Sequence, residues 1–224
     1  MKKVLNFFSA VLPITFIWST PFLSKVGVCR LDYDKLLGHS LSRYISTPQA
    51  TGMMAVAFFS ISNIMISKRY LKAFDFKKKE IISPDYQLLT EEESCWKLKL
   101  FQISGYVYEI FFGVFLSAPC IWAPTIHGIS VSIFSISAYV HMLLLQFCPE
   151  LQQKWKYTLI FLNTSGTTAI IGMSVSRVII LYNIRLPNHL FWAFECTGLS
   201  SFILFMYVAQ LALPNKEFDS SQEQ

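Results

Sequence analysis

The sequence predicts an all-α polytopic integral membrane protein, a bundle of six transmembrane helices with both termini on the cytoplasmic side. Three observations predict this fold. Of the 224 residues, 53% are hydrophobic and only 15% are charged, whereas soluble domains carry roughly 25% charged residues. Several apolar runs reach the length of about 20 residues that crosses a bilayer. Lys and Arg are distributed unequally among the segments between those runs, which orients the chain.

Six apolar segments are predicted as spans. Each is expected to be helical, because a helix satisfies every backbone polar group within the segment. The first could instead be a signal peptide, since two lysines precede it, but the run is long and no small-residue cleavage site closes it. The polar tail 214–224 is predicted to be disordered. The spans are expected at Val4–Leu23, Ala50–Ser67, Leu100–Cys120, Gly128–Phe147, Tyr157–Tyr182 and Leu190–Leu213.

The positive charges support a cytoplasmic N-terminus and C-terminus. With this orientation thirteen Lys and Arg residues lie on the cytoplasmic side and five on the other, as the positive-inside rule requires. The first outer loop, about 24–49, contains LDYDKLLGHSLSRYI and is predicted to form a short interfacial helix. The inner loop, about 68–99, is the largest polar region. Its basic half either lies against anionic lipid or serves only as a positive-inside anchor.

Composition excludes some classes of function. The net charge of +5 comes from residues between apolar runs, without a basic face interleaved with aromatics, so no nucleic-acid partner is predicted. The five cysteines are scattered, with no CxxC pair and no histidine at metal-ligand spacing, so neither a metal site nor a cofactor is predicted. Cys29 and Cys120 are expected on the same non-cytoplasmic side, where a disulfide between them is possible.

Polar residues at membrane depth are costly, so each is a candidate functional residue. Carboxylate and imidazole groups suit acid–base chemistry on a lipid. The candidates for catalysis are Glu109, His141 and Glu195, and the candidates for substrate binding are His127, Asn163 and Arg177.

The positions of these residues suggest two pairings. Arg177 and Glu195 are expected at similar depth on neighbouring helices and could form a salt bridge, either structural or functional. Glu109 and His141 could serve acid–base chemistry on a lipid, although their depths differ by several helical turns. The span-five stretch FLNTSGTTAIIG is predicted to be a close helix-packing face, with substrate contact as the alternative.

The histidine spacing does not predict haem. His127 and His141 are fourteen positions apart, a spacing used by membrane dihaem cytochromes to place two axial ligands on one helix. Such proteins need a second pair on another helix, and the remaining histidines lie in loops. No hydrolase elbow, phosphate-binding loop or dinucleotide fingerprint is present.

Four stretches carry a family resemblance. They are the first outer loop GVCRLDYDKLLGHSLSRYISTPQ, the span-three stretch YVYEIFFG, the span-four stretch IHGISVSIFSISAYVHMLLL, and the last quarter from SVSRVIILYN through FWAFECTGL to LPNKEF. With them the chain resembles the FRAG/DRAM/SFK superfamily of six-span proteins, and within it the post-GPI-attachment factor branch. The inner-loop stretch FKKKEIISPDYQLL has no counterpart in the resemblance.

The resemblance implies a function. It implies remodelling of the fatty acids of glycosylphosphatidylinositol (GPI) anchors in the Golgi or endoplasmic reticulum membrane, by a lipid acyl-transfer enzyme or a subunit of one. The expected partners are a membrane lipid or a GPI-anchored protein, with other membrane proteins also possible. The alternative is a non-catalytic regulator or scaffold of the autophagy-modulator or phosphoinositide-kinase-recruiting type, in the lysosomal or plasma membrane. A small-solute or proton transporter is a third reading, based only on the buried ionisable residues.

Overall fold

The computed structural model describes residues 2–31, 33–65, 84–146 and 153–212. Over these ranges the chain is helical and contains no β-strand. A 3₁₀ turn over Gln153–Trp155 leads into the sixth helix. The α-helices are α1 (Lys2–Lys25), α2 (Leu41–Tyr44), α3 (Pro48–Met65), α4 (Pro84–Ser117), α5 (Pro124–Gln146), α6 (Lys156–Leu181) and α7 (Leu190–Ala212).

Five of the described helices are long and apolar enough to cross a membrane. These segments are Phe7–Lys25, Lys99–Ser117, Pro124–Gln146, Gln153–Leu181 and Leu190–Ala212. They correspond to predicted spans one, three, four, five and six, so the all-helical, multi-pass part of the prediction is confirmed. Helix α3 covers 48–65 and overlaps predicted span two, although it is not among the five.

Several predictions concern residues outside the described ranges. These are the ends of three predicted spans (66–67, 147 and 213), the basic part of the inner loop (68–83) and the tail (214–224). The remaining part of the inner loop is described, and there α4 begins at Pro84, well before predicted span three. Proline at the first position of a helix costs no hydrogen bond, because that backbone N–H would be unpaired anyway.

The outward faces of the long helices are apolar. Large side chains on them are exposed, with relative accessibilities of 63% for Leu12, 62% for Ile136 and 69% for Phe161. Water-soluble monomers rarely expose contiguous apolar surface on this scale. A lipid environment accounts for these faces, because there is no solvation penalty for an aliphatic side chain against acyl chains.

Helix α7 lies at the centre of the bundle. It contacts α1, α2, α3, α5 and α6, while α4 packs mainly against α5. Its inward side chains Phe202, Phe205 and Met206 are buried in the main core cluster. A helix that is apolar all round is expected to be surrounded by other helices, and α7 takes that position here.

Helices α6 and α7 approach closely at glycines of the predicted packing face. A Cβ added at Gly172 would lie 2.6 Å from the Phe194 ring, and one added at Gly166 would lie 3.4 Å from the Ser201 Cβ. Small residues allow neighbouring helix backbones to approach in a membrane. The geometry therefore agrees with the packing reading of this stretch.

Helix α1 contains a proline that leaves one backbone carbonyl without its helical partner, and neighbouring side chains donate to that carbonyl instead. Pro21 has no backbone N–H, so the carbonyl of Ile17 loses its usual helical partner. The Thr20 hydroxyl donates to that carbonyl at 2.8 Å, and the Cys196 thiol approaches it from α7 at 3.6 Å. The orphan carbonyl in the bundle interior is thereby paired, as a low-dielectric environment requires.

Three connections meet at one end of the bundle, which we call the loop end: residues 26–47, 118–123 and 182–189. The Leu186 N–H donates to the Leu36 carbonyl at 2.9 Å, and the His39 N–H donates to the Asn188 carbonyl at 2.7 Å. Helix α2 lies within the first connection, where the sequence predicted a short helix. The Ser40 side chain caps it by accepting from the Arg43 N–H at 3.3 Å.

Candidate functional site

A mainly apolar pocket lies among α4, α5, α6 and α7, with α2 at its loop end; we call it the bundle pocket. The space inside it that the centre of a water-sized sphere can occupy is about 60 Å³. Among the described residues that line it, Glu195 is the one carboxylate, and the other polar side chains are hydroxyls of serine and tyrosine. The lining residues are Leu41, Ser42, Tyr108, Phe115, Val131, Phe134, Ser135, Ala138, Tyr139, Met142, Gly166, Ile170, Met173, Glu195, Gly198, Leu199 and Phe202.

The bundle pocket is elongated along the helix axes. On α5 its lining residues recur every three or four positions from Val131 to Met142, which is one face of a helix. Eleven positions separate these two residues, a rise of roughly 16 Å. The pocket therefore runs along the bundle as a mainly apolar channel about three helical turns long.

Glu195 lies at the loop end of this channel and holds α2. Its Oε2 accepts a hydrogen bond from the Leu41 backbone N–H at 2.5 Å, and its Oε1 accepts one from the Ser42 hydroxyl at 2.9 Å. Leu41 begins α2, where backbone N–H groups have no partner within the helix. A carboxylate at that position supplies the missing acceptor. Glu195 therefore joins the connection 26–47 to α7.

Arg177 does not form the salt bridge considered from the sequence. Its side chain is exposed, and its guanidinium lies over the Phe191 ring, 4.9 Å from the ring centre. No ion pair within 4 Å joins Arg177 to Glu195 in the described structure, where the charged pair found is Arg43 with Asp34 at 3.1 Å. Glu195 faces α2 instead, because its two oxygens are taken up by Leu41 and Ser42.

His141 forms a polar clamp between α4 and α5. Its Nδ1 lies 3.0 Å from the Ser104 Oγ and 3.2 Å from the Phe101 carbonyl, and its ring stacks on Phe101. The Ser137 hydroxyl donates to the Ser104 carbonyl at 2.7 Å beside it. Since Ser104 already donates to the Phe101 carbonyl, the arrangement fits a proton on His141 Nδ1. The Nε2 atom is buried without a partner among the described residues.

His127 and Asn163 also join neighbouring helices. The Nδ1 of buried His127, at the start of α5, lies 2.9 Å from the Ala118 carbonyl, just after α4. The Asn163 side-chain amide on α6 donates to the Gln146 side-chain oxygen at the end of α5. The His127 Nε2 and Asn163 Oδ1 atoms are buried without a partner in the described part of the chain. Neither residue lines the bundle pocket.

Glu109 lies on α4, partly buried, one position after a residue that faces the pocket. Tyr108 lines the pocket and is 1% exposed, while Glu109 is turned by about 100° around the helix relative to it. Of the six site residues predicted from the sequence, the structure thus places Glu195 on the bundle pocket and the other five elsewhere. The proposed Glu109–His141 pair does not share this pocket.

Cysteines and metal ligands contribute no separate site in the described ranges. Cys29 is a buried free thiol, and burial raises its pKa to about 11. No group of three or more His, Cys, Asp or Glu side chains capable of holding a metal ion occurs among the described residues.

Comparisons with known proteins return no relative. No protein-family model, no curated protein and no solved structure matches this chain.

Sequence reasoning missed Ser42 as a site residue. It was part of the predicted interfacial helix, where a serine is ordinary, and its partner Glu195 is 153 positions away. A local signal did exist, because a short helix in an otherwise irregular loop leaves unpaired N–H groups that need an acceptor. That signal does not say which acidic residue supplies the acceptor.

Replacing His141 with leucine is expected to destabilise the protein by about 1–3 kcal/mol, since Ser104 and Phe101 lose a buried hydrogen-bond partner. Thermal unfolding of the purified protein in detergent measures this. The matched control is Ile136→Leu on the exposed face of the same helix, which should leave the melting temperature unchanged. A His141→Leu variant as stable as wild type would contradict the clamp.

Proposed function

We propose that this chain is a lipid-remodelling factor of secretory-pathway membranes that acts on the fatty acids of GPI anchors. The observation that carries the proposal is the bundle pocket, a mainly apolar channel that ends at the partly buried carboxylate of Glu195 and the hydroxyl of Ser42. Apolar pockets with few polar groups are typical ligand sites, and this one suits an acyl chain with its polar end near α2. The resemblance supplies the GPI class of substrate.

The proposal includes six spans with both termini in the cytoplasm. Helix α3 is then the second span, and it is supported by its packing against α1, α4 and α7. Its eighteen residues rise roughly 27 Å, a length suited to the thin bilayer of the endoplasmic reticulum. The loop end then faces the lumen. An N-glycosylation acceptor inserted after Leu31 should be modified, whereas one added after Gln224 should not.

The function is tested in cells that lack this protein. Mass spectrometry of GPI anchors should show a loss of saturated acyl chains, and surface GPI proteins should decrease. Wild-type protein should restore both. The Ala138→Phe variant fills the pocket and should recover roughly tenfold less saturated anchor, because excluding the chain removes more than about 1.4 kcal/mol of binding. Ile136→Phe, two positions away on the exposed face, should restore the wild-type level.

Unchanged anchors in the deletion cells would overturn the proposal and favour the regulator or scaffold alternative. That alternative depends on Lys77, Lys78 and Lys79, which lie outside the described residues. Their replacement by glutamine would then abolish function while Ala138→Phe has little effect. Loss of function in Ala138→Phe, with little effect of the lysine replacements, supports lipid remodelling.

A further inference from the structure

We propose that Ser42 and Glu195 form a nucleophile–base pair that transfers an acyl chain through a covalent Ser42 ester. The inference rests on the proposed function, because it assigns the chemistry of the same pocket. It differs from the acid–base set predicted from the sequence, since Ser42 was not among those candidates and Glu109 and His141 do not line the pocket.

The geometry meets the requirements for an activated serine. The Ser42 hydroxyl donates to Glu195 Oε1 at 2.9 Å, within the range in which a base can accept a proton from a nucleophile. Both side chains line the bundle pocket. A reactive carbonyl at the polar end of a bound acyl chain would therefore reach the loop end of the pocket, where Ser42 lies.

The base is itself held in position. Glu195 Oε2 accepts from the Leu41 backbone N–H at 2.5 Å, which leaves Oε1 directed at the Ser42 hydroxyl. A base that is oriented by a third group is the general arrangement of serine and cysteine nucleophile sites. Here the third group is a backbone amide, so the orientation depends on α2 being folded.

The surroundings of Ser42 favour acyl transfer to a lipid over hydrolysis of the Ser42 ester by water. Ser42 is 9% exposed, and the rest of the pocket is mainly apolar, so little water reaches the nucleophile. Ser135 also lines the pocket, but no described hydrogen bond joins it to a carboxylate. Among the described serines of the pocket, Ser42 is the one with a base beside it.

The reaction has two balanced halves. The Ser42 oxygen attacks the ester carbonyl of a donor lipid while Glu195 accepts the hydroxyl proton; the ester C–O bond breaks, and the leaving lipid oxygen takes that proton. The free hydroxyl of an acceptor lysolipid then attacks the Ser42 ester and gives its proton to Glu195. The Ser42 oxygen leaves and recovers the proton. No oxidant or reductant is required.

The test uses full-length protein in phosphatidylcholine nanodiscs and a hexadecyl fluorophosphonate, which modifies activated serines. Peptide mass spectrometry should locate the adduct on Ser42. Glu195→Gln should slow labelling by roughly a hundredfold, the lower range for loss of a general base, and Ser42→Ala should remove the adduct. Ser46→Ala should label at the wild-type rate, because Ser46 lies in the same loop but donates to the Arg43 carbonyl at 2.6 Å.

A second measurement separates this inference from the proposed function. A photoactivatable palmitic acid is cross-linked to the wild-type protein and to Ser42→Ala, whose folding is checked by its melting temperature. Cross-links on pocket peptides without a fluorophosphonate adduct on Ser42 would overturn the nucleophile and leave the lipid pocket in place. If neither pocket cross-links nor a Ser42 adduct are found, the lipid pocket and the Ser42 nucleophile are both overturned. An adduct found only on other serines, without a pocket cross-link, has the same meaning.

Discussion

Replacing Glu195 with leucine is expected to destabilise the protein by about 2–6 kcal/mol, one of the two largest effects predicted for a single substitution. Leucine removes the acceptor for the Leu41 N–H and for the Ser42 hydroxyl. Each buried donor left without a partner costs about 1–3 kcal/mol. Thermal unfolding in detergent should show the loss, and limited proteolysis should show faster cleavage within residues 26–47.

Two further variants test whether the stabilisation comes from the hydrogen bonds of Glu195 to α2 or from Arg177. Glu195→Gln retains one acceptor oxygen and should lose less stability than leucine. Arg177→Leu should change stability by less than about 1 kcal/mol, since its described contact is with the Phe191 ring and an exposed cation–π contact is worth about that much. If Arg177→Leu were the more damaging change, the assignment of Glu195 to α2 would be wrong.

Gly38→Ala is expected to separate the connection 26–47 from the connection between α6 and α7. Gly38 has φ +77°, and an added Cβ would lie 2.4 Å from the Asn188 carbonyl oxygen. Backbone cannot move aside as a flexible side chain can, so the contacts of Leu36 with Leu186 and of His39 with Asn188 should be lost. The left-handed conformation alone costs about 1–3 kcal/mol for a residue with a side chain, and the clash adds to it.

Gly27→Ala is the matched control for this experiment. Gly27 has φ +80°, and no atom lies within 4 Å of an added Cβ. Its substitution therefore carries the conformational cost without the clash. Hydrogen exchange should show the amides of Leu186 and His39 exposed in Gly38→Ala and protected in Gly27→Ala. If the amides of Leu186 and His39 exchanged equally fast in both variants, the clash between the Cβ added at position 38 and Asn188 would not be the cause of loop separation.

Both predictions concern the position of α2, on which the pocket depends. Leu41 and Ser42 line the loop end of the bundle pocket, and α2 has only four residues. A helix that short is not stable on its own. Its position comes from Glu195 on α7 and from the docking of the surrounding loop, so changes outside the pocket should still alter the pocket.

The membrane helices were predictable because their signal is local. Hydrophobic length and the scarcity of charge indicated α1, α4, α5, α6 and α7. The close approach of α6 and α7 at Gly172 was also indicated, because small residues in an apolar helix favour packing. The start of α4 at Pro84 was missed, since the polar segment before the span carries no hydropathy signal.

The site depended on contacts between distant parts of the chain. The sequence determined that Glu195 would lie within a predicted span, where an ionisable group is costly unless it has a partner. Only the tertiary structure decided that the partners are Leu41 and Ser42, 154 and 153 positions away, and that Arg177 lies over Phe191. The physical reason is that apolar periodicity specifies which segments are helices, whereas the rotation and packing of those helices decide which polar groups meet.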